Sequence, residues 1–323
     1  MPKTTIRAGS NIAFIKYWGN QDDALRLPAN PSISMNLDSL YTDTTILWDE
    51  QLDGDRLTLN GEIATGKSLE RVSKHLDHIR KRLGFDYSAQ VESKNNFPMG
   101  AGIASSASAF AALTAAAFAA AAVEMSEREL STFARLGSGS ASRSIPSGFV
   151  EWHTGNTHEA SFAETVEPPD YWDLVDVIAI VSDEHKHTTS QVGHPTAKTS
   201  DLQNARVAGA AERLSKCKAA IRHRDFPTFA DVVEQDSNLM HAVMMTSKPP
   251  LFYWKPATLT IMELVRQWRS EGLFVCYTLD AGPNVHCICI SRDADIVRNR
   301  LLSLSGVVDV RTAKAGGAAR ILG

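Results

Sequence analysis

Asn95-Asn96-Phe97-Pro98-Met99-Gly100-Ala101-Gly102-Ile103-Ala104-Ser105-Ser106-Ala107-Ser108-Ala109 opens a run of alanines that reaches Met125. Alanine has the most favourable helix propensity, and Phe110, Leu113, Thr114, Phe118 and Ala121 fall near one apolar face, so the run predicts a helix. Pro98, Gly100 and Gly102 predict a turn without side-chain bulk before it. Ser105, Ser106 and Ser108 then put small hydroxyls into a first turn whose backbone N–H groups lack intrahelical partners. Such an end favours an anion: the N–H groups and the positive end of the helix dipole attract phosphate, and serine hydroxyls add hydrogen bonds or a ligand to Mg²⁺. The same residues also suit a Gly/Ser turn that only caps a buried helix. Neither G-x-x-x-x-G-K-[ST] nor G-x-G-x-x-G occurs in the stretch, so a nucleotide here uses another phosphate loop.

The 323 residues, 43% hydrophobic and 22% charged, are enough for two lobes or one large α/β unit. A formal net charge of -4 and no extended basic tract exclude a nucleic-acid binder that works by counterion release. The alanine run is too weakly hydrophobic for a membrane span, and the start, Met1 to Thr5, has no apolar core of a leader, so a cytoplasmic protein is expected. Cys287 and Cys289 alternate in a predicted strand and read as small core residues; no C-x-x-C pair or H-E-x-x-H signature occurs. The close histidine pairs, His75 with His78 and His185 with His187, read as surface residues.

Taken in order, Thr4–Ile6 and Asn11–Tyr17 read as strands, the second setting Ile12, Phe14 and Lys16 on one face. A lysine where a strand becomes a loop suits either a phosphate contact or a solvated surface. Thr44–Trp48 and Arg56–Leu59 suggest a hairpin around Asp53-Gly54, with Asn60-Gly61 as a second turn. Helices are predicted over 68–83, closed by Gly84, and over 127–136, capped by Ser126 with Glu129. The next stretch, Gly137-Ser138-Gly139-Ser140-Ala141-Ser142-Arg143-Ser144, suits a carboxylate or phosphate; an exposed loop with an incidental arginine is equally compatible. Pro168-Pro169 marks a connection between lobes. Beyond it come a buried strand over 174–181 and helices over 201–222, 226–245 and 258–271, the last with Leu259, Met262, Leu264, Val265 and Trp268 as its apolar stripe. A strand over 272–279 ends at Asp280-Ala281-Gly282-Pro283-Asn284, where Asp280 is either a turn residue or a carboxylate aimed into a site; 285–290 returns as its partner.

Four of these stretches, Asn11 to Gly19, Gly102 to Ala109, Gly137 to Ser144 and Thr278 to Asn284, together resemble the mevalonate diphosphate decarboxylases, a branch of the GHMP kinase superfamily. They span nearly the whole chain in the family's order. The resemblance implies an α+β, two-lobed GHMP-kinase-type fold with a ribosomal protein S5 domain 2-like N-terminal lobe. It further implies an ATP-binding lobe over 1–170, a second lobe over 171–323, the active site in the cleft between them, and a homodimer. It implies ATP and Mg²⁺, phosphorylation of a tertiary 3-hydroxyl, and loss of phosphate and CO₂ to give an isopentenyl product.

By the same resemblance Asp280 orients or deprotonates the hydroxyl, Lys16 stabilises the transferring phosphoryl and Arg143 clamps the substrate carboxylate. Tyr17, Asn20, Ser138, Gly139, Ser140 and Gln191 join Arg143 around the substrate. Ser93, Asn95, Gly100, Ala101, Gly102, Ser105, Ser106 and Ser108 surround the nucleotide, with Ser105 and Ser106 also toward the metal.

Two positions depart from the family. Asn20 stands where a lysine is usual, and Gln191 where an arginine is usual; both cations help to bind the far phosphate of the substrate's diphosphate. Each charge-assisted hydrogen bond is worth about 1.5–3 kcal/mol. Their loss favours mevalonate 5-phosphate as substrate and isopentenyl phosphate as product. The alternative is the ordinary mevalonate 5-diphosphate reaction, with Lys186, Lys198 or His194 replacing the missing pair. Retention of Lys16, Arg143 and Asp280 argues against a kinase without decarboxylation and against a non-catalytic sensor.

Overall fold

Buried and half-buried residues alternate over the first part of Thr4–Ile15, and residues 10–15 are buried throughout; the stretch forms β1, a single strand where the sequence suggested two. The computed structural model describes residues 1–97, 105–182 and 190–322, less the side chains of Ser190 and Gln191. A small antiparallel hairpin follows, β2 (Asn20–Asp22) with β3 (Leu27–Pro28). Next is the 18-residue β4 (Ser32–Asp49), paired with β1 along both of its halves. β5 (Arg56–Leu59) and β6 (Glu62–Ala64) make a hairpin on the Asn60-Gly61 turn, α1 (Lys67–Leu83) crosses over, and β7 (Ser88–Asn95) returns parallel to β5. The expected hairpin of 44–48 with 56–59 does not form. β4 already holds β1 on one side and β7 on the other over Thr42–Asp49, so no edge is left for β5.

α2 (Ser105–Ala120) and α3 (Glu127–Gly137) cover this sheet with α1. α2 is buried on every side, because small alanines let β1, β4 and α3 approach it all round. Ser126 and Glu129 form the expected capping box of α3. A 3-10 helix (Gly139–Ser144), β8 (Phe149–Trp152) and β9 (Ala163–Glu167) complete the first half, with β8 paired to the beginning of β4.

The second half is built on β10 (Leu174–Ile180). It is followed by α4 (Ser190–Gly193), a 3-10 turn (His194–Thr199), α5 (Gln203–Ala208), α6 (Ala210–His223), α7 (Phe226–Thr246) and α8 (Pro256–Ser270). Then come β11 (Val275–Thr278), β12 (Val285–Ile290), α9 (Ala294–Leu302), β13 (Asp309–Lys314) and β14 (Arg320–Leu322). The helix expected over 201–222 is two helices. A Cβ at Gly209 would sit 2.6 Å from the Arg213 guanidinium, so the glycine makes room for that side chain at the break. In α8 the buried stripe is Ile261, Met262, Val265 and Trp268, whereas Leu259 is 46% exposed.

The second sheet runs β11-β12-β10-β13, all antiparallel, and β14 returns to pair with β1. Its outer face, carrying Val175, Val177, Cys287 and Cys289, packs under α8 and α9. Its inner face, with Ile178, Cys276 and Ile288, joins Ile12 and Phe14 of β1, Ile33 of β4 and Phe229 of α7 in one core. That core sets the end of β1 against the end of β11. No helix among the described residues is long and apolar enough to cross a membrane.

Candidate active site

Ile12, Phe14 and Ile15 enter the shared core across a register shift between Ala13 and Ile15, and Lys16 follows just beyond the end of β1. On β11 Cys276 and Thr278 face inward, and Asp280 is the next inward position; the Thr278 hydroxyl donates to the Ala13 carbonyl at 3.2 Å and locks the two strand ends together. Lys16 Nζ therefore meets Asp280 Oδ1 at 2.7 Å, with the lysine side chain 1% and the aspartate 27% exposed.

The backbone around Lys16 is held as firmly as its side chain. Its N–H donates to Asp236 Oδ2 at 2.6 Å, and its carbonyl accepts from Asn30 Nδ2 at 2.9 Å and from Arg206 at 2.7 Å. Asp236 in turn pairs with Arg213 at 2.7 Å. Burial pushes the Lys16 ammonium below the ordinary lysine range, with Asp280 and Asp236 opposing. Burial also works to raise the Asp280 carboxyl, but the charge of Lys16, aided by His286 and Arg143, outweighs it and holds Asp280 below the usual carboxylate range.

Arg143 is the third member. The 3-10 helix buries it, with its guanidinium donating to Ser32 Oγ at 2.6 Å and to Asn11 Oδ1 at 3.3 Å, while Nε has no partner among the described residues. Burial lowers its pKa to about 10, so it stays charged at neutral pH. An incidental arginine on an exposed loop is excluded. Asn11 also donates to the Ser140 carbonyl at 3.1 Å and to Ser144 Oγ at 2.8 Å, which ties β1 to this turn.

Tyr17 points its hydroxyl at Asn20 Oδ1, 2.5 Å away, with its ring edge-on to Trp152 and stacked on His194. Gly139 lies against that ring: a Cβ there would come within 2.4 Å of it. The Asn20 amide donates to Asp23 Oδ1 at 2.9 Å. Gln191 belongs to α4, and its side chain lies outside the described part of the structure.

A second group forms around the start of α2. Ser93, Asn95, Ser105 and Ser106 line a cavity of about 230 Å³ whose remaining walls include Leu57, Leu59, Val72, Val91, Phe110 and Leu113. Ser106 Oγ lies 3.1 Å from Ser138 Oγ, which links this cavity's serines to the Arg143 turn. Ser108 differs from its neighbours: fully buried, it hydrogen-bonds Thr42 Oγ1 at 2.7 Å and donates to the Ser105 carbonyl, so its hydroxyl ties α2 to β4. Gly100, Ala101 and Gly102 lie outside the described residues.

Comparison with known proteins places this arrangement. A model described as the diphosphomevalonate decarboxylase-like N-terminal domain matches residues 8–163, and one described as the mevalonate 5-diphosphate decarboxylase C-terminal domain matches 176–314. The chain belongs to the mevalonate diphosphate decarboxylase family. Among relatives in this family, the diphosphomevalonate decarboxylase of Ganoderma lucidum is 40% identical over 307 residues, covering 87% of this chain and 77% of its own. The crystal structure of the Staphylococcus aureus mevalonate diphosphate decarboxylase superposes with a TM-score of 0.95 at 37% identity, covering 99% of this chain and 98% of that one. A third, described as MDDEF in complex with MVAPP, AMPPCP and magnesium, has a TM-score of 0.93 at 35% identity, covering 99% and 98%. The α+β, two-lobed GHMP-kinase-type architecture expected from the sequence is thus the observed one.

Several residues around the pair were not singled out from the sequence. Asp236 carried a signal, since it occupies a position on the apolar stripe of α7 beside Val232, Val233 and Met240. Arg206 and Asn30 carried none, because their partner Lys16 is 190 and 14 residues away in the chain.

Proposed function

We propose that this chain is an ATP-dependent decarboxylase that takes mevalonate 5-diphosphate to isopentenyl diphosphate, with ADP, phosphate and CO₂ as the other products. The observation that carries it is the buried Lys16–Asp280 pair beside Arg143, in a chain that aligns from end to end with decarboxylases of mevalonate diphosphate. The relatives' substrate displaces mevalonate 5-phosphate, which the sequence favoured, as the main reading. The ionised Asp280 accepts the hydrogen bond of the substrate's 3-hydroxyl and aims its oxygen. Lys16 sits where negative charge develops on the transferring phosphoryl, and its burial makes that charge count for more than it would in water. Arg143, whose Nε has no partner among the described residues, clamps the carboxylate that leaves as CO₂.

The residues present fit a nucleotide. The cavity at the start of α2 offers apolar walls for a base and serine hydroxyls at a helix N-terminus for phosphates. They also fit Mg²⁺ carried by that nucleotide: Ser105, Ser106 and Asp280 are hard oxygen donors, and no cluster of three His, Cys, Asp or Glu among the described residues builds a cage for it alone. When bound, Mg²⁺ would neutralise phosphate charge. The division into an ATP-binding lobe over 1–170 and a second lobe over 171–323 with the site in the cleft, and assembly as a cytoplasmic homodimer, belong to the same reading.

A second reading, mevalonate 5-phosphate as substrate, is favoured by the neutral Asn20, whose amide is already engaged by Tyr17 and Asp23. Side-by-side kcat/KM for ADP and CO₂ release with the two substrates decides. A preference of about tenfold or more for the diphosphate, about 1.4 kcal/mol, is expected. The same preference for the monophosphate would install the second reading.

A further inference from the structure

Chain neighbours of the two positions that lack the family's cations, Asp23 and Val192, line one cavity of about 690 Å³. Asp23, hydrogen-bonded to Asn20, lines it from the turn between β2 and β3; Val192, the neighbour of Gln191 on α4, lines it from the opposite chain segment. Arg26, at the return of the same hairpin, stands between them in sequence and lines it too. Its backbone is left-handed, with φ of 50°, so the hairpin turn sets where its side chain starts. The permanent charges of the cavity wall are Arg26, Lys67, Arg71 and Lys74 against Asp23 and Glu70, four cations to two anions. Arg71 is already committed to the Gly137 carbonyl and the Phe110 ring.

Arg26 is half-buried and makes no hydrogen bond or ion pair among the described residues. Of the charges that act on Tyr17, whose hydroxyl meets Asn20, that of Arg26 is the largest. Burial lowers the Arg26 pKa while Tyr17 and the Asp23 carboxylate oppose it; with no hydrogen bond tying it among the described residues, its planar fork suits a phosphate held by two hydrogen bonds.

We propose that Arg26 supplies the cation for the far phosphate of a diphosphate substrate, in place of the lysine absent at position 20 and the arginine absent at 191. This rests on the diphosphate reading above and names the residue that sets its specificity.

The test uses the full-length enzyme and the variants Arg26→Asn, whose asparagine tolerates left-handed backbone, and Arg26→Lys. Arg26→Asn is expected to lose about tenfold or more in kcat/KM with mevalonate 5-diphosphate, less than about threefold with mevalonate 5-phosphate, and nothing in KM for ATP, while Arg26→Lys recovers part of the loss. Equal losses on both substrates, or none on the diphosphate, would overturn the assignment. A wild-type enzyme that ignores the diphosphate overturns the underlying reading instead, and shows itself before any variant is measured.

Discussion

Asp280 gains its character from where β11 ends. Its carboxylate is close to Lys16 Nζ at 2.7 Å and its pKa lies below the usual range, so it is a weak proton acceptor at neutral pH and a strong hydrogen-bond acceptor. Orientation of the 3-hydroxyl, with the proton leaving late as the phosphoryl arrives, matches that state better than prior deprotonation. Asp280→Asn keeps the shape and removes the charge. It is expected to lower kcat by about 10²–10⁴, while titration with a fluorescent ATP analogue shows affinity unchanged; loss of nucleotide binding would place Asp280 in the wrong role. The variant also leaves Lys16 buried without its counter-charge, so a lower melting temperature is expected as well.

At the level of elements, the 3-10 turn over Gly139–Ser144 connects the pieces of the site, because it buries Arg143, receives Asn11 from β1 and presses Gly139 on Tyr17. Gly139→Ala would set a methyl within 2.4 Å of the Tyr17 ring and push the ring off Asn20 and His194. A rise in KM for the mevalonate substrate with KM for ATP unchanged is the expected outcome; an unchanged substrate KM means that the turn yields to the methyl without passing the shift to Tyr17. This turn shows what was legible in sequence and what was not. Its serines, its arginine and its glycines were visible as an anion-friendly stretch, and so were Lys16 and Asp280 at strand ends, since alternation and turn residues are local properties. Pairing is not local. The hairpin misassigned to 44–48 and 56–59 had sound turn chemistry at Asp53-Gly54, yet β7, arriving some 30 residues later, took the edge. His75 looked solvated beside His78, but it falls on the α1 stripe with Leu76 and Ile79, bonds Thr114 of α2 at 2.8 Å and is 2% exposed.

For the whole molecule, the consequence is a dependence on pH that no single element reveals. His75, His194 and His241 are all held neutral, each lowered to about 3, first by burial and then by neighbouring positive charge: His78 where it is protonated, with Arg26 and Arg71, around His75; Arg26, Arg206 and Arg143 around His194; Lys16 around His241. In the unfolded chain each titrates near 6.5, so between pH 6.5 and about 3 the unfolded state binds protons that the folded state refuses. Their contribution is therefore complete above pH 6.5 and is lost as the pH falls below it, by up to about 1.4 kcal/mol per pH unit for each histidine. The Asp280 carboxylate, with its lowered pKa, adds a loss in the same direction only below the ordinary aspartate range of 3.8. Urea unfolding at pH 7.5 and 5.5 is expected to show a clearly lower midpoint at the acid end. His75→Gln, which keeps a hydrogen-bonding group toward Thr114 and cannot titrate, is expected to flatten that dependence by about one proton's worth. A midpoint that does not move between the two pH values would mean that these histidines accept their protons in the folded state, and that the cationic site does not govern them.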